Sequence, residues 1–176
     1  MERREAFAVW ITGLPASGKS TLAVFLRTEL AERGIDAAVL ESDVLRLVFT
    51  PHSDYDEQDR ETFYRRMTWV GALLVRHGVP VIFDATANRR AYRDEARRQI
   101  ERFLEVYVEC PLEVCMSRDP KGIYRLGREG GARHVPGSQD PYEPPLAPDL
   151  VIRGDAGEPS ESARRIIETL SSRRYL

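Results

Sequence analysis

Lysine is nearly missing from this 176-residue chain: of 26 Lys and Arg residues, only Lys19 and Lys121 are lysines. A general bias toward arginine accounts for the rest. A lysine that survives it marks a place where a compact ammonium does what a planar guanidinium does not. Cysteine is as scarce. Cys110 and Cys115, with no histidine near them, exclude a zinc site and a disulfide framework and read as two buried thiols. A surplus of charge is lacking too, since the net charge is -2 with pI near 6.0. No whole-molecule positive field exists to hold nucleic acid by its phosphates, so nucleic acid is not an expected partner. Long apolar runs are also absent, and the opening MERREAF leads into a short apolar strand instead of a signal-peptide core. The expectation is one soluble, cytoplasmic domain over residues 1–176 that makes no membrane contact.

Hydrophobic periodicity then gives the organisation. Ala6–Thr12 is short, apolar and β-rich, and Leu22, Phe25, Leu26 and Leu30 follow at helical spacing. The alternation continues with a strand at Ala37–Glu41, a helix from about Glu57 to His77, a strand at Val79–Asp84 and a helix across Arg89–Arg102. A strand at Phe103–Cys110, a short helix at Pro111–Ser117, a weak strand at Leu150–Arg153 and a closing helix at Ser160–Ser172 complete it. Such a pattern predicts an α/β fold, a parallel five-stranded sheet with helices on both faces and its ligands at the carboxyl ends of the strands. Two segments interrupt it. Thr50–Asp56 is a short loop, and Asp119–Pro148 is a long stretch without predicted structure that holds six of the 11 prolines. The long stretch carries Lys121, Arg125, Arg128 and Arg133, which suits a basic lid over phosphates.

Gly13-Leu-Pro-Ala-Ser-Gly18-Lys19-Ser20 matches the phosphate-binding pattern G-x-x-x-x-G-K-[ST], between a buried strand and a helix N-terminus. Glycines let backbone N–H groups turn inward around phosphate oxygens, and the helix end adds partial positive charge at the same point. Lys19 is expected to bridge the β- and γ-phosphates of ATP, and the Ser20 hydroxyl to bind Mg2+. After the second strand, Asp43 and Arg46 stand one helical turn apart, so they share a face. Asp43 there can accept the proton of an acceptor hydroxyl or orient magnesium, and Arg46 can pair with an anion on the acceptor. The plainer alternative is a helix N-cap at Ser42 or Asp43. Asp84 ends an apolar strand, where a carboxylate can act on magnesium or cap the next helix.

These motifs together resemble the adenylylsulfate kinases, P-loop enzymes that move the γ-phosphoryl of ATP to the 3′-hydroxyl of adenylylsulfate. The resemblance covers nearly the whole chain. It rests on GLPASGKST, which extends the cradle through Ser20 to Thr21, on Asp43 and Arg46, on Asp59-Arg60 with Arg65-Arg66, and on Arg90 with Arg93. Its most specific parts are Pro111-Leu-Glu-Val-Cys115, Arg118-Asp-Pro-Lys-Gly-Ile-Tyr124 and Asp140-Pro-Tyr-Glu-Pro-Pro145. By resemblance, Asp43 faces the acceptor hydroxyl, and Arg46 and Arg60 hold the phosphosulfate end. Tyr55 stands where the family stacks a Phe on adenine, Lys121 belongs to the lid and Arg118 lies against the ATP adenine. A homodimer is a further expectation.

This chain also departs from the family. Phe63 replaces an Asn used near the acceptor, Val135 stands about where a second stacking Phe is found, and Ala87 replaces a serine that can be phosphorylated. Direct transfer follows from the last of these. Losing one aromatic face costs roughly 1 to 3 kcal/mol in base binding. Phe83-Asp84-Ala-Thr-Ala-Asn88-Arg89 and Ser42–Arg46 are also similar to the 5′-hydroxyl polynucleotide kinases. Another hydroxyl acceptor, or a regulatory module that binds nucleotide without transferring phosphate, therefore stays open from the sequence.

Overall fold

The computed structural model describes residues 6–51 and 54–176. Most of the opening MERREAF, and His52 and Ser53 of the first loop, lie outside the described residues. The expected sheet is present, with β1 (Ala8–Thr12), β2 (Ala38–Glu41), β3 (Val81–Asp84), β4 (Phe103–Glu109) and β5 (Leu150–Arg153). Its order is β2-β3-β1-β4-β5 and every pairing is parallel. β1 lies at the centre and is buried at each residue, as a strand must be when both faces of its sheet are covered.

Helices α1 (Lys19–Ala31) and α7 (Pro159–Ser172) cover one face. There Val9, Ile11, Leu26, Leu30, Val106 and Ile166 form a closed apolar cluster. Helices α3 (Glu57–Arg76) and α4 (Arg90–Gln99) cover the other face, around Trp10, Phe63, Tyr64, Met67, Phe83 and Phe103. The alternation Val9, Trp10, Ile11 divides β1 between the two clusters, as a period of two requires. Trp10 stacks on Phe83 with ring centroids 4.5 Å apart, and its indole N–H donates to the Ala85 carbonyl at 3.1 Å. α3 comes this close because residue 71 is glycine: a Cβ there would lie 2.1 Å from the Phe83 ring.

Element ends follow local chemistry. The Asp56 side chain caps α3 by accepting from the Asp59 N–H at 2.8 Å, and Gly78, at φ 84, lets the chain leave its far end. β3 starts at Val81, later than the expected Val79, because Pro80 has no N–H to give the ladder. α2 (Ser42–Phe49) follows β2 without a loop, and α5 (Leu112–Arg118) follows β4.

One expectation needs correction. The stretch from Asp119 to Pro148 has structure: α6 (Ile123–Arg128) lies within it, its first N–H groups at Tyr124 and Arg125 bonded to the Asp119 carboxylate. It also has an apolar base, since Tyr124 and Val135 pack with Cys110, Cys115 and Leu14. Among the described residues, no helix is long and apolar enough to cross a membrane.

Candidate active site

The carboxyl ends of β1, β2 and β3 deliver Thr12, Glu41 and Asp84 to one edge of the sheet, where the chain turns into α1 and α2. The phosphate-binding loop leaves β1 through Gly13, whose φ of 156 and tight surroundings suit only glycine. A Cβ there would meet the Val108 carbonyl at 2.6 Å and the Ser17 hydroxyl at 2.8 Å. Gly18, at φ 105, is the N-cap of α1, so the loop ends on the free N–H groups of a helix. Lys19 is only 7% exposed, and its ammonium donates to the Leu14 carbonyl at 2.8 Å. Burial pushes its pKa below the ordinary lysine value, while the charges of Asp84 and Asp43 oppose that shift. A buried ammonium facing carboxylates and curled onto its own loop is a cation provided for an anionic ligand.

α2 supplies the opposite wall. Its N-cap is Glu41, so Ser42 and Asp43 lie inside the first turn and neither is the cap. Asp84 is no cap either, since α4 is capped at Arg89. Asp43 pairs with Lys121, and that hydrogen bond raises the Lys121 pKa. The two lysines of the chain thus meet at one cavity of about 790 Å³. Pro15, Ala16, Gly18, Lys19, Ser20 and Thr21 line one part of it, with Asp43, Arg46, Tyr55, Arg60 and Asp84; Arg118 joins from the end of α5, and Lys121 and Val135 from the lid side.

Several expected site residues stand elsewhere. Within the phosphate loop, Gly13 and Ser17 are buried and do not line the cavity, and Leu14 packs into the base of the lid. Phe63, expected at the acceptor, is fully buried in the core and does not line the cavity; it reaches the site through Arg46, whose guanidinium lies 4.0 Å from its ring centre, and through Tyr64, which meets its ring edge-on at 5.1 Å. Arg93 is interior as well. It pairs with Glu105 at 2.7 Å and donates to the Glu143 carbonyl at 2.7 Å.

Other residues join the site that the sequence marked only within longer motifs or, for Tyr64, not at all. Tyr64, Thr86 and Asn88 line the cavity. Tyr124 donates its hydroxyl to the Pro15 carbonyl at 2.9 Å, which ties α6 to the phosphate loop. The far root of the lid is held by Asp140-Pro-Tyr-Glu: Asp140 pairs with Arg60 at 2.6 Å, and the Tyr142 and Thr12 hydroxyls bond at 3.0 Å. The Glu143 carboxylate accepts from the Arg90 N–H, and its own N–H donates to the Asn88 carbonyl, each at 2.8 Å.

The profile of the Adenylylsulphate kinase family matches residues 5–153. The chain belongs to that family. The adenylyl-sulfate kinase of Synechococcus sp. (strain JA-3-3Ab) is 40% identical over 173 residues, 98% of either chain, and that of Gloeothece citriformis is 39% identical over 174 residues, 99% of either chain. In three dimensions, the Mycobacterium tuberculosis APS kinase CysC, solved in complex with AMPPNP and APS, superposes with a TM-score of 0.89 at 35% identity, covering 95% of this chain and 98% of that one. As an adenylylsulphate kinase family member with this P-loop fold, the protein is an ATP-dependent phosphotransferase.

Proposed function

We propose that the protein is a cytoplasmic kinase that transfers the γ-phosphoryl group of ATP to the 3′-hydroxyl of adenylylsulfate, giving ADP and 3′-phosphoadenylylsulfate. The observation that carries this reading is one cavity holding Lys19 and the phosphate loop on one side and Asp43 with Arg46 on the other. The hydroxyl oxygen bonds to the γ-phosphorus, the bond from phosphorus to the β,γ-bridging oxygen breaks, and the hydroxyl proton passes to the Asp43 carboxylate. Loop N–H groups and Lys19 hold the phosphates, and Arg46 and Arg60 receive the anionic end of the acceptor. With ATP in the cradle, Lys121 gains a second anion to pair with, and Asp43 is freed to take the proton. Arg118 is assigned to the ATP adenine, and Tyr55 and Val135 to the acceptor adenine.

Ser20, Asp43 and Asp84 all line the cavity and offer a hydroxyl and two carboxylates beside Lys19. Among the described residues no cluster of three or more carboxylate, His or Cys ligands forms a cage. That donor set fits Mg2+, which binds through one or two protein oxygens and keeps water and phosphate oxygens for the rest. Mg2+ when bound would neutralise charge on the transferring phosphates.

Direct transfer is favoured at residue 87. Ala87 has no hydroxyl, is fully buried, and its N–H donates to the Tyr64 hydroxyl at 2.9 Å. The reading carries with it a homodimer, visible in sedimentation as twice the 20.1 kDa chain mass. ADP formation by the purified protein with ATP and Mg2+ tests the acceptor: adenylylsulfate should raise the rate well above ATP hydrolysis. A 5′-hydroxyl oligonucleotide that raises it instead contradicts the assignment.

A further inference from the structure

Arg46 is held in an unusual way for a buried cation. Only 8% of the residue is exposed, and among the described residues it has no carboxylate partner. Its Nη1 is inaccessible to water and has no hydrogen-bond partner. Aromatic faces surround the guanidinium instead: the Phe63 ring centre is 4.0 Å away, Tyr55 4.9 Å and Tyr64 5.6 Å. Phe63 is the nearest of the three and the most fixed. It is fully buried, with its ring against Tyr64 at 5.1 Å and Phe49 at 6.1 Å. Tyr64 is held in turn by stacking on Tyr92 at 4.7 Å and by the Ala87 N–H.

A π face attracts a cation without neutralising it or filling its hydrogen-bonding positions. A carboxylate in the same place would do both. Arg60 shows the contrast, since its guanidinium is already engaged by Asp140 and the His134 carbonyl. Arg46, which lines the cavity, therefore keeps a desolvated charge with no carboxylate to neutralise it, an arrangement suited to an incoming oxyanion. We infer that Phe63 is a positioning residue that holds Arg46 by its ring face, keeping the guanidinium unpaired for the anionic end of the acceptor. The ligand rests on the adenylylsulfate reading; the device itself requires only an oxyanion.

The test compares Phe63→Leu, which keeps apolar bulk but removes the ring, with Phe63→Tyr, which keeps the ring. In steady-state assays Phe63→Leu should raise the KM for adenylylsulfate about tenfold, with kcat and the KM for ATP within about twofold of the parent. Phe63→Tyr should restore the parent KM. Phe83→Leu makes the same packing loss in the same core cluster and should leave the acceptor KM unchanged. In an Arg46→Met background, Phe63→Leu should add nothing further. The same variants, loaded with AMPPNP so that the phosphate loop is filled, are titrated with inorganic sulfate, and Phe63→Leu should weaken sulfate binding by a similar factor. Failure of the parent to turn over adenylylsulfate would remove the acceptor assignment, and the sulfate titration would still decide the role of Phe63. An unchanged acceptor KM and sulfate affinity in Phe63→Leu, or an equal effect from Phe83→Leu, would overturn the proposal.

Discussion

An exposed ion pair is weakly held. Asp43 and Lys121 are each about two-thirds exposed, so their contact is easily exchanged for one with a phosphate. Asp43→Asn keeps the shape of the side chain but removes its capacity to take a proton. Its kcat should fall by roughly 10² to 10⁴, while the ATP dissociation constant from calorimetry changes by less than about threefold. A second residue-scale prediction concerns the thiols. Burial, with a hydrogen bond to Cys110, pushes the Cys115 pKa up to about 12 from an ordinary 9.0. The thiolate is the reactive form, so iodoacetamide at about pH 8 should leave native Cys115 unlabelled and should label it in urea. Rapid labelling of the native protein would contradict this. Since the folded state keeps this proton longer than the unfolded chain, the contribution of the thiol to stability is complete below pH 9 and is lost as pH rises toward 12. The urea midpoint should fall over that range, less steeply in Cys115→Ala. What the sequence showed at this scale was local: Lys19, Ser20, Asp43 and Arg46 fall in short motifs whose spacing alone sets their geometry. Phe63 was misplaced because a point on helix α3 says nothing about which neighbour its ring will face.

Elements are joined across long sequence separations. The lid returns to the body through Asp140–Arg60, Tyr142–Thr12 and Glu143–Asn88, each linking residues more than 50 positions apart. No periodicity encodes such contacts, and for this reason the sequence marked the Asp140–Pro145 motif only by family likeness and gave it no physical role. Arg93 organises this region: it lies on α4, pairs with Glu105 of β4 and donates to the carbonyls of Ala87 and Glu143. Breaking a buried pair from one side leaves an uncompensated charge. Arg93→Met should therefore cost about 3 to 5 kcal/mol in urea denaturation. A loss below about 1 kcal/mol would mean that Arg97, 3.3 Å from the same Glu105, compensates fully. Strand and helix order was the most legible feature, because buried parallel strands and amphipathic helices differ in period. The lid helix α6 was not, because glycine and proline dominate the segment around it.

At the scale of the whole molecule, the nucleotide binds the folded protein and not the unfolded chain. At 100 times its dissociation constant it adds about 2.7 kcal/mol of stability, which for a chain of 176 residues is a rise of roughly 5 to 10 °C in Tm. Differential scanning fluorimetry with ATP and Mg2+ reads this directly, and excess EDTA should diminish it. A Tm indifferent to nucleotide would contradict a functional phosphate cradle.

In the proposed mechanism, Lys19 and Asp43 work across one cavity to pass a phosphoryl group between two nucleotides. Label carried on the γ-phosphate of ATP follows that group. The parent protein should move the label into 3′-phosphoadenylylsulfate, and Asp43→Asn should bind ATP but leave nearly all label on it. Label found only in free phosphate, or transfer at the parent rate by Asp43→Asn, would rule this mechanism out.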